Sequence, residues 1–431
     1  MKKNSFKSDV KYLGIVQILN YLAPAVTFPY LTRIFGLSGF GIYSYTIALM
    51  AYPLMLISFG FDMSATVTIV GLKGNKERIK EYITSIYVLK IIFLLVSSIA
   101  LLAFLYLMNV SGEQILYVVA MFPMLIGAVL TSVYIFQSFD CLKVMSIITV
   151  IFRILTIPAV FLFVNTKNDI IDALLIQSLC MFFIGFFSFI YLQNRFYVFI
   201  TRIDFKMVRT AFFDSYVIFK SSCASSVYVN LIPILVGIMH SYEAAGIYNA
   251  ANTIKNIVQN FINVFFRVLF PRISRNIAEN KFNETKKELA NAFIIIVGVV
   301  FIGCIVNLLV SNYVIDIISG KEFENASIVL KILMFTVLAS AINNFFGVQT
   351  LLPLGYKELF GQAVIKGAFV SIIIILPTVY MLGPIGGAIS SVTSELIVFY
   401  LLIEKHKQLN LNYFSLKNLK ENLIIAVSKS K

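Results

Sequence analysis

Seven basic side chains of this 431-residue chain fall inside long apolar stretches, and two acidic side chains stand at comparable positions. A basic residue at the centre of a bilayer costs about 2.5–3.5 kcal/mol on insertion scales, so the excess of buried cations predicts a function for them. A basic site with few carboxylates favours capture of an anion, above all a phosphate or pyrophosphate. The cations are Lys90, Arg153, Lys220, Lys255, Arg267, Lys331 and Lys366, and the carboxylates are Asp62 and Glu395.

Depth within the apolar stretch separates these cations. Four of them, Lys90, Arg153, Lys220 and Lys366, lie about seven residues into their stretches, which is roughly 10 Å of helix. They either snorkel back to the headgroups or together form a basic vestibule open to the cytoplasm. Lys331 lies about six residues in from the outer side and can snorkel outward, whereas Arg267 fits an interfacial anchor.

Lys255 is the leading candidate for substrate binding, because it lies about eleven residues into its stretch and is too deep for easy escape. Amide side chains lie before and after Lys255 at spacings of three and four residues, which places them on one helix face. This face is either a seam between helices or the lining of a hydrated cavity. In a cavity, amides would hydrogen-bond a sugar next to the phosphate held by the cations. The run comprises Asn249, Asn252, Asn256, Gln259, Asn260 and Asn263.

The two carboxylates each have two interpretations. Glu395 either pairs with a nearby lysine or carries a coupling proton. Asp62 lies near the cytoplasmic end of its stretch, where a role at a helix end competes with one in ion coupling. Both are therefore candidates for ion coupling.

Apolar stretches of roughly 20 residues predict twelve transmembrane helices. With the N-terminus inside, the segments predicted to be cytoplasmic hold 25 Lys and Arg residues, whereas the opposite gaps hold only Arg33, Lys167 and Lys321. By the positive-inside rule both termini are cytoplasmic. The stretches are 12–31, 40–61, 83–108, 114–137, 144–164, 170–192, 213–239, 244–270, 289–311, 325–352, 360–382 and 384–403.

Composition excludes several classes of protein. The chain is 59% hydrophobic and 13% charged, against about 25% charged in soluble domains, and no interval leaves room for a soluble domain of about 50 residues. The net charge of +14 follows from the cations that border apolar stretches, so we expect contact with membrane lipids and none with nucleic acid. No phosphate-binding loop is present, and neither His240 nor His406 has a catalytic setting, so both are expected at the surface. We predict no enzyme activity, no cofactor and no metal.

Two halves of the chain share a short pattern. Pro29 precedes Gly41-Ile42-Tyr43 at the start of the first half, and Pro233 precedes Gly246-Ile247-Tyr248 at the start of the second. Both pairs of helices begin inside, which predicts a parallel repeat. The predicted units are an N-terminal lobe at 1–200, a C-terminal lobe at 201–403 and a cytoplasmic tail at 404–431.

Several segments resemble a known family. The stretch from Asn20 through Pro29-Tyr30-Leu31-Thr32-Arg33-Ile34-Phe35-Gly36 to Gly39-Phe40-Gly41-Ile42-Tyr43 carries the first resemblance, and 58–66, 136–140, 351–357 and 383–388 continue it. Together they resemble the polysaccharide repeat-unit (O-antigen) flippases of Wzx type, within the multidrug/oligosaccharidyl-lipid/polysaccharide exporter superfamily. The chain departs from the pattern at Ser138 and Asp140, where the family often has Gly and Glu.

The resemblance implies two six-helix lobes around a central cavity that opens alternately to each face. It also implies a substrate, an undecaprenyl-pyrophosphate-linked oligosaccharide moved across the bacterial cytoplasmic (inner) membrane, with a polysaccharide polymerase and a chain-length regulator as expected partners. It supplies no motif at Lys255. Two alternatives stay open: an ion-coupled small-molecule or drug exporter of the same superfamily, which would use Glu395, and a nontransporting scaffold for polysaccharide assembly.

Overall fold

The computed structural model describes residues 3–72, 75–196, 203–409 and 411, and in these residues the regular structure is helical, without a strand. The predicted all-α fold class is confirmed. The chain divides into two compact units, Met1–Ser226 (unit 1) and Val227–Lys431 (unit 2). The lobe boundaries predicted at 200/201 and 403/404 stay predictions, and the tail at 412–431 lies outside the described residues.

Unit 1 begins with two long helices joined by a short one, continues with five shorter helices and ends within a further long helix. In chain order the helices are α1 (Lys3–Ser58), α2 (Phe61–Gly71), α3 (Lys76–Leu107), α4 (Gly112–Ala120), α5 (Phe122–Leu130), α6 (Val133–Ser138), α7 (Leu142–Phe163), α8 (Ile170–Phe196) and α9 (Phe205–Met239), and α9 continues into unit 2.

Unit 2 contains four further α-helices, one 3₁₀ turn and one π-helical segment. They are α10 (Tyr242–Ala278), α11 (Phe282–Ser319), a 3₁₀ turn (Lys321–Phe323), α12 (Ala326–Phe346), a π-helical segment (Gly347–Leu351) and α13 (Lys357–Gln408). The π-helical segment follows α12 directly, and such segments are rare and frequently functional.

Eight helical stretches among the described residues are long and apolar enough to cross a membrane. Two of them, Ala23–Gly71 and Lys357–Gln408, have 49 and 52 residues, well beyond the roughly 20 needed for one crossing. Each contains a glycine with positive φ, Gly36 (φ 65°) in α1 and Gly383 (φ 56°) in α13, which breaks the helix. These breaks fall between predicted spans, but the count of twelve stays a prediction. Helix α10 is not among the eight, although it has 37 residues.

Two predicted spans contain breaks that the apolar pattern did not indicate. The span predicted at 40–61 is interrupted by positive φ angles at Phe59 (φ 39°) and Gly60 (φ 75°), and the chain then continues as α2. The span predicted at 114–137 consists of α4, α5 and α6, and Thr131 and Ser132 separate the last two. Hydrophobicity alone does not distinguish a continuous helix from an interrupted one, because both stretches are uniformly apolar.

Close backbone contact joins two helices of unit 1. A Cβ atom on Gly127 of α5 would lie 2.5 Å from the Met181 carbonyl oxygen, and one on Gly185 of α8 would lie 2.3 Å from the Gly127 carbonyl oxygen. Small residues at facing positions allow transmembrane helices to approach closely and gain van der Waals contact. Glycine is therefore required at both positions.

Helix α12 forms the core of unit 2. Its Phe345 ring lies 5.2 Å from the rings of Phe266 on α10 and Phe293 on α11. The expectation that His406 is a surface residue is wrong: it is 5% exposed, and its Nε2 lies 2.8 Å from the Phe346 carbonyl oxygen. That carbonyl precedes the π-helical segment, where the regular ladder of backbone hydrogen bonds is interrupted and acceptors need other partners. The exposed His240 likewise has its Nε2 2.7 Å from the Val379 carbonyl oxygen.

The close approach of α5 and α8 predicts the effect of adding one methyl group. Gly185→Ala should lower the free energy of unfolding by about 1–3 kcal/mol, because its Cβ would overlap the backbone of α5. Gly303→Ala in α11 is the control, since no atom lies within 4 Å of its new Cβ and alanine favours a helix. Thermal unfolding of the purified proteins tests this. Equal midpoints for the two variants would contradict it.

Candidate functional site

Lys90 is a buried cation of unit 1 that binds backbone oxygens. It is 3% exposed, and its ammonium donates to the carbonyl oxygens of Thr131 (2.5 Å) and Ala128 (3.2 Å). Both carbonyls belong to the C-terminal end of α5, where the last carbonyls of a helix have no partner within it. The negative end of the helix dipole adds to the attraction. Lys90 is thus held by the backbone carbonyl oxygens at the break between α5 and α6.

Asp62, on helix α2, also lies near the break between α5 and α6. It stands in the first turn of α2, where a carboxylate is stabilised by the helix N-terminus. The backbone amide of Tyr134, at the start of α6, acts on Asp62 as a hydrogen-bond donor, and Lys90 acts on it electrostatically. The Tyr134 ring centroid lies 5.7 Å from the Lys90 ammonium. We call Asp62, Lys90 and Tyr134 the break cluster; Lys90 and Tyr134 are buried, whereas Asp62 is exposed.

Arg153 on α7 is a cation of a different kind, because it has no carboxylate partner. The described residues contain the ion pairs Arg272–Glu288 and Lys281–Glu279, and Arg153 belongs to neither. Its terminal nitrogen lies 3.7 Å from the sulfur of Met181, and its Nε is buried without a hydrogen-bond partner.

Lys255 on α10 is half-buried and bonds a neighbouring amide. Its ammonium donates to the Asn256 side-chain oxygen at 2.9 Å, and Glu395 acts on it electrostatically without a direct ion pair. Farther along the same helix, Gln259 donates to Asn263 at 3.3 Å. Asn256 is exposed, while Asn252 and Gln259 are half-buried. The polar run of α10 therefore keeps an accessible side, which fits both interpretations of the sequence.

Glu395 on α13 is held by an amide that the sequence analysis did not single out. The side-chain nitrogen of Asn343 on α12 donates to the Glu395 carboxylate at 2.7 Å and to its backbone carbonyl at 2.8 Å. Asn343 is 7% exposed, and its own side-chain oxygen has no partner. Two adjacent amides, Asn343 and Asn344, interrupt an apolar stretch, and the cost of polar groups in membranes is the signal that could have identified them.

The remaining predicted cations differ in exposure. Lys220 on α9 and Lys366 on α13 are exposed, and Lys331 on α12 is half-buried. The predicted vestibule of four cations draws on residues of both units and stays a prediction. Among the described residues, no group of three His, Cys, Asp or Glu side chains is arranged to hold a metal ion.

The interrupted helices and buried charges define a class, the all-helical membrane transporters, and solved structures show the same fold. The chain matches a lipid II flippase MurJ in an inward closed conformation, with a TM-score of 0.72 and 14% identity over 97% of this chain and 92% of that one. It matches an inward-facing MATE family multidrug resistance transporter of the MOP superfamily with a TM-score of 0.69 and 14% identity, over 94% and 99% of the two chains. At such identity the likeness shows the fold alone.

Sequence comparison shows the family. The pattern of the family described as "Polysaccharide biosynthesis protein" matches residues 6–277, and the chain belongs to that family. It is also 29% identical to an Escherichia coli (strain K12) protein named "Putative O-antigen transporter", over 93% of this chain and 96% of that relative. The protein is a multi-pass membrane transporter of polysaccharide biosynthesis and not an enzyme. The predictions of family, fold class and nonenzymatic role are confirmed.

The bond from Asn343 to Glu395 predicts a coupled effect on stability. Asn343→Leu should lower the free energy of unfolding by about 1–3 kcal/mol, because it leaves the half-buried carboxylate of Glu395 without its donor. In a Glu395→Leu background the same change should cost at least about 1 kcal/mol less, since no unpartnered carboxylate remains. Thermal unfolding of the four proteins measures the coupling. An identical cost of Asn343→Leu in both backgrounds would show that the bond contributes nothing.

Proposed function

We propose that this protein moves a lipid-linked oligosaccharide, carried on undecaprenyl pyrophosphate, from the cytoplasmic to the outer leaflet of the bacterial cytoplasmic membrane by alternating access. The observation that carries the proposal is a cation within a helix of each unit, Arg153 in unit 1 and Lys255 in unit 2, and neither cation forms an ion pair with another described residue. Both suit a diphosphate, which presents several anionic oxygens to such donors.

The guanidinium of Arg153 supports an anionic substrate in unit 1. Arg153 is half-buried, and its buried Nε, which has no hydrogen-bond partner among the described residues, keeps its donor capacity unused. Arginine binds phosphate with two parallel hydrogen bonds, and the planar group supplies such a fork. The contact of its terminal nitrogen with the Met181 thioether is weak and leaves that nitrogen available to a stronger acceptor.

The ammonium of Lys255 supports an anionic substrate in unit 2. Glu395, the carboxylate that acts on it, is bonded to Asn343 instead of to the ammonium. The hydrogen bond to exposed Asn256 is easily exchanged, since both side chains are on adjacent residues at an accessible surface. Amides of Asn252, Asn256 and Gln259 would then contact the sugars. We propose that Lys220, Lys331 and Lys366 attract the anionic headgroup as the substrate approaches.

Glu395 supports a route for coupling to protons. The Lys255 ammonium would stabilise both the Glu395 carboxylate and a bound pyrophosphate, because Glu395 and Lys255 interact electrostatically. When the pyrophosphate takes up the ammonium, the carboxylate loses that stabilisation and accepts a proton more readily. Proton binding at Glu395 and pyrophosphate binding at Lys255 would then be coupled. Asp62 is less suited to this role, because the break cluster already holds it.

Glu395 also favours a second candidate function, an ion-coupled exporter of small molecules. A buried carboxylate is what a cationic drug would require, and the MATE transporter has the same fold. Sensitivity to cationic drugs separates the two functions. In a strain that lacks the protein, the flippase predicts accumulation of lipid-linked repeat units and loss of the surface polysaccharide ladder at unchanged drug sensitivity. The exporter predicts increased drug sensitivity with both lipid and ladder unchanged.

Removal of the Lys255 charge should impair transport. Lys255→Gln should reduce the rate at which repeat units reach the outer leaflet by tenfold or more, since a charged hydrogen bond contributes about 1.5–3 kcal/mol. Arg153→Gln should act in the same direction. Lys255→Arg should retain more activity than Lys255→Gln because it keeps the charge. Labelling of repeat units at the outer face of the membrane measures the rate.

Lys321→Gln is the matched control, because Lys321 is exposed in the 3₁₀ turn and lies outside the α-helices. It should transport like the unchanged protein. All variants are compared at equal amounts of inserted protein, so that misfolding is not read as loss of transport. Wild-type transport by both Lys255→Gln and Arg153→Gln would exclude these cations from substrate binding.

Partners are proposed on the same basis. Repeat units delivered to the outer leaflet are the material that a polysaccharide polymerase and a chain-length regulator consume, so both would act after this protein.

A further inference from the structure

Two interrupted helices of unit 1 lie side by side next to Lys90. The α1–α2 break falls at Phe59 and Gly60, and the α5–α6 break falls at Thr131 and Ser132. Helices α2 and α6, which follow the breaks, are joined by a hydrogen bond of 2.9 Å from the Thr66 hydroxyl to the Gln137 side-chain oxygen. Lys90 thus lies where two irregular backbone segments come together.

The groups around the Lys90 ammonium are those that bind an alkali cation. Two carbonyl oxygens approach it at 2.5 and 3.2 Å, the Asp62 carboxylate acts on it, and the π-face of Tyr134 lies 5.7 Å away. In broken transmembrane helices, carbonyl oxygens at half-helix C-termini coordinate monovalent cations. Aromatic faces attract the same charge.

Tyr134 of the break cluster, and Tyr82 near it, also contribute buried hydroxyl groups. Both side chains are fully buried, and neither hydroxyl makes a hydrogen bond of good geometry among the described residues, although Ser132 acts on Tyr134 and Thr68 acts on Tyr82 as hydrogen-bond donors. The Tyr134 hydroxyl is within electrostatic range of Asp62 and of Tyr82. Its oxygen would be a further ligand for an ion, or for its water, once the ammonium is removed.

We propose that the break cluster is a monovalent-cation site that the chain fills with its own Lys90 ammonium. The tethered cation neutralises Asp62 and satisfies the end of α5, so unit 1 folds without an alkali ion. The side chain thereby replaces a ligand that would otherwise have to be bound from solution. The inference is independent of the substrate proposed above, because it concerns the stability of unit 1.

The test is to remove the tethered cation and supply a free one. Lys90→Met keeps most of the side-chain volume and removes the charge. The full-length variant is purified and its thermal unfolding followed in NaCl, KCl or N-methyl-D-glucamine chloride at one ionic strength. We expect a lower midpoint than in the unchanged protein and a saturable rise of about 2–4 °C or more with Na⁺ or K⁺ but not with N-methyl-D-glucamine. The unchanged protein should not respond to the cation.

Lys76→Met is the matched control, because Lys76 lies on the same helix, α3, and is exposed. It should show no dependence on Na⁺ or K⁺. Lys90→Met combined with Asp62→Asn should lose the response as well, since the carboxylate of the site is gone. If the Lys90→Met protein unfolds at the same temperature in all three salts, the proposal is wrong. An equal response in the unchanged protein would also overturn it.

A second measurement applies even when Lys90→Met does not accumulate in the membrane. The amounts of inserted Lys90→Met, Asp62→Asn and the double variant are compared. Each single change leaves one charge without the opposite charge that acts on it, whereas the double variant removes both charges. We expect the double variant to accumulate more than either single variant. Accumulation of the double variant at or below the poorer single variant would show that Lys90 only caps α5, and would overturn the proposal.

Discussion

The structure depends on one constraint, that backbone polar groups inside a membrane must find partners within the protein. Every interruption of a helix exposes carbonyl oxygens, and lipid offers no donor for them. In this chain, polar side chains supply the donors. Lys90 binds the end of α5, His406 bonds the Phe346 carbonyl before the π-helical segment, and Asn343 reaches the backbone and the carboxylate of Glu395.

The same constraint separates the buried cations into two groups. Lys90 satisfies the backbone, because its ammonium donates hydrogen bonds to two carbonyl oxygens. Asp62 also acts on its charge electrostatically. Arg153 and Lys255 bond only a thioether and a neighbouring amide, which are weak or exchangeable partners. The partners, rather than the depth in the sequence, therefore separate the cation held by backbone carbonyls from the two cations with weak or exchangeable partners. Depth alone had placed Lys90 and Arg153 in one group.

The chain shares its fold with transporters to which it is only 14% identical, so its function is argued from its own charged side chains. Close contacts such as Gly127 against Gly185 require small residues but no particular charge, so a common architecture tolerates very different polar groups. Function in such proteins resides in the site and not in the fold. The cations, the amides of α10 and the carboxylate at Glu395 are the features from which a substrate can be argued.

The sequence by itself determined the all-helical membrane class, the family resemblance and the importance of the polar run on α10, because long apolar stretches and helical spacing are local properties. It also identified Asp62, Lys90, Lys255 and Glu395 as groups that require an explanation. Only the tertiary structure decided their partners. Ala128 and Thr131 are about 40 residues from Lys90, and Asn343 is 52 residues from Glu395, so no local pattern joins them. The breaks at Gly60 and Thr131 and the burial of His406 likewise depend on packing between helices, which hydrophobicity does not encode.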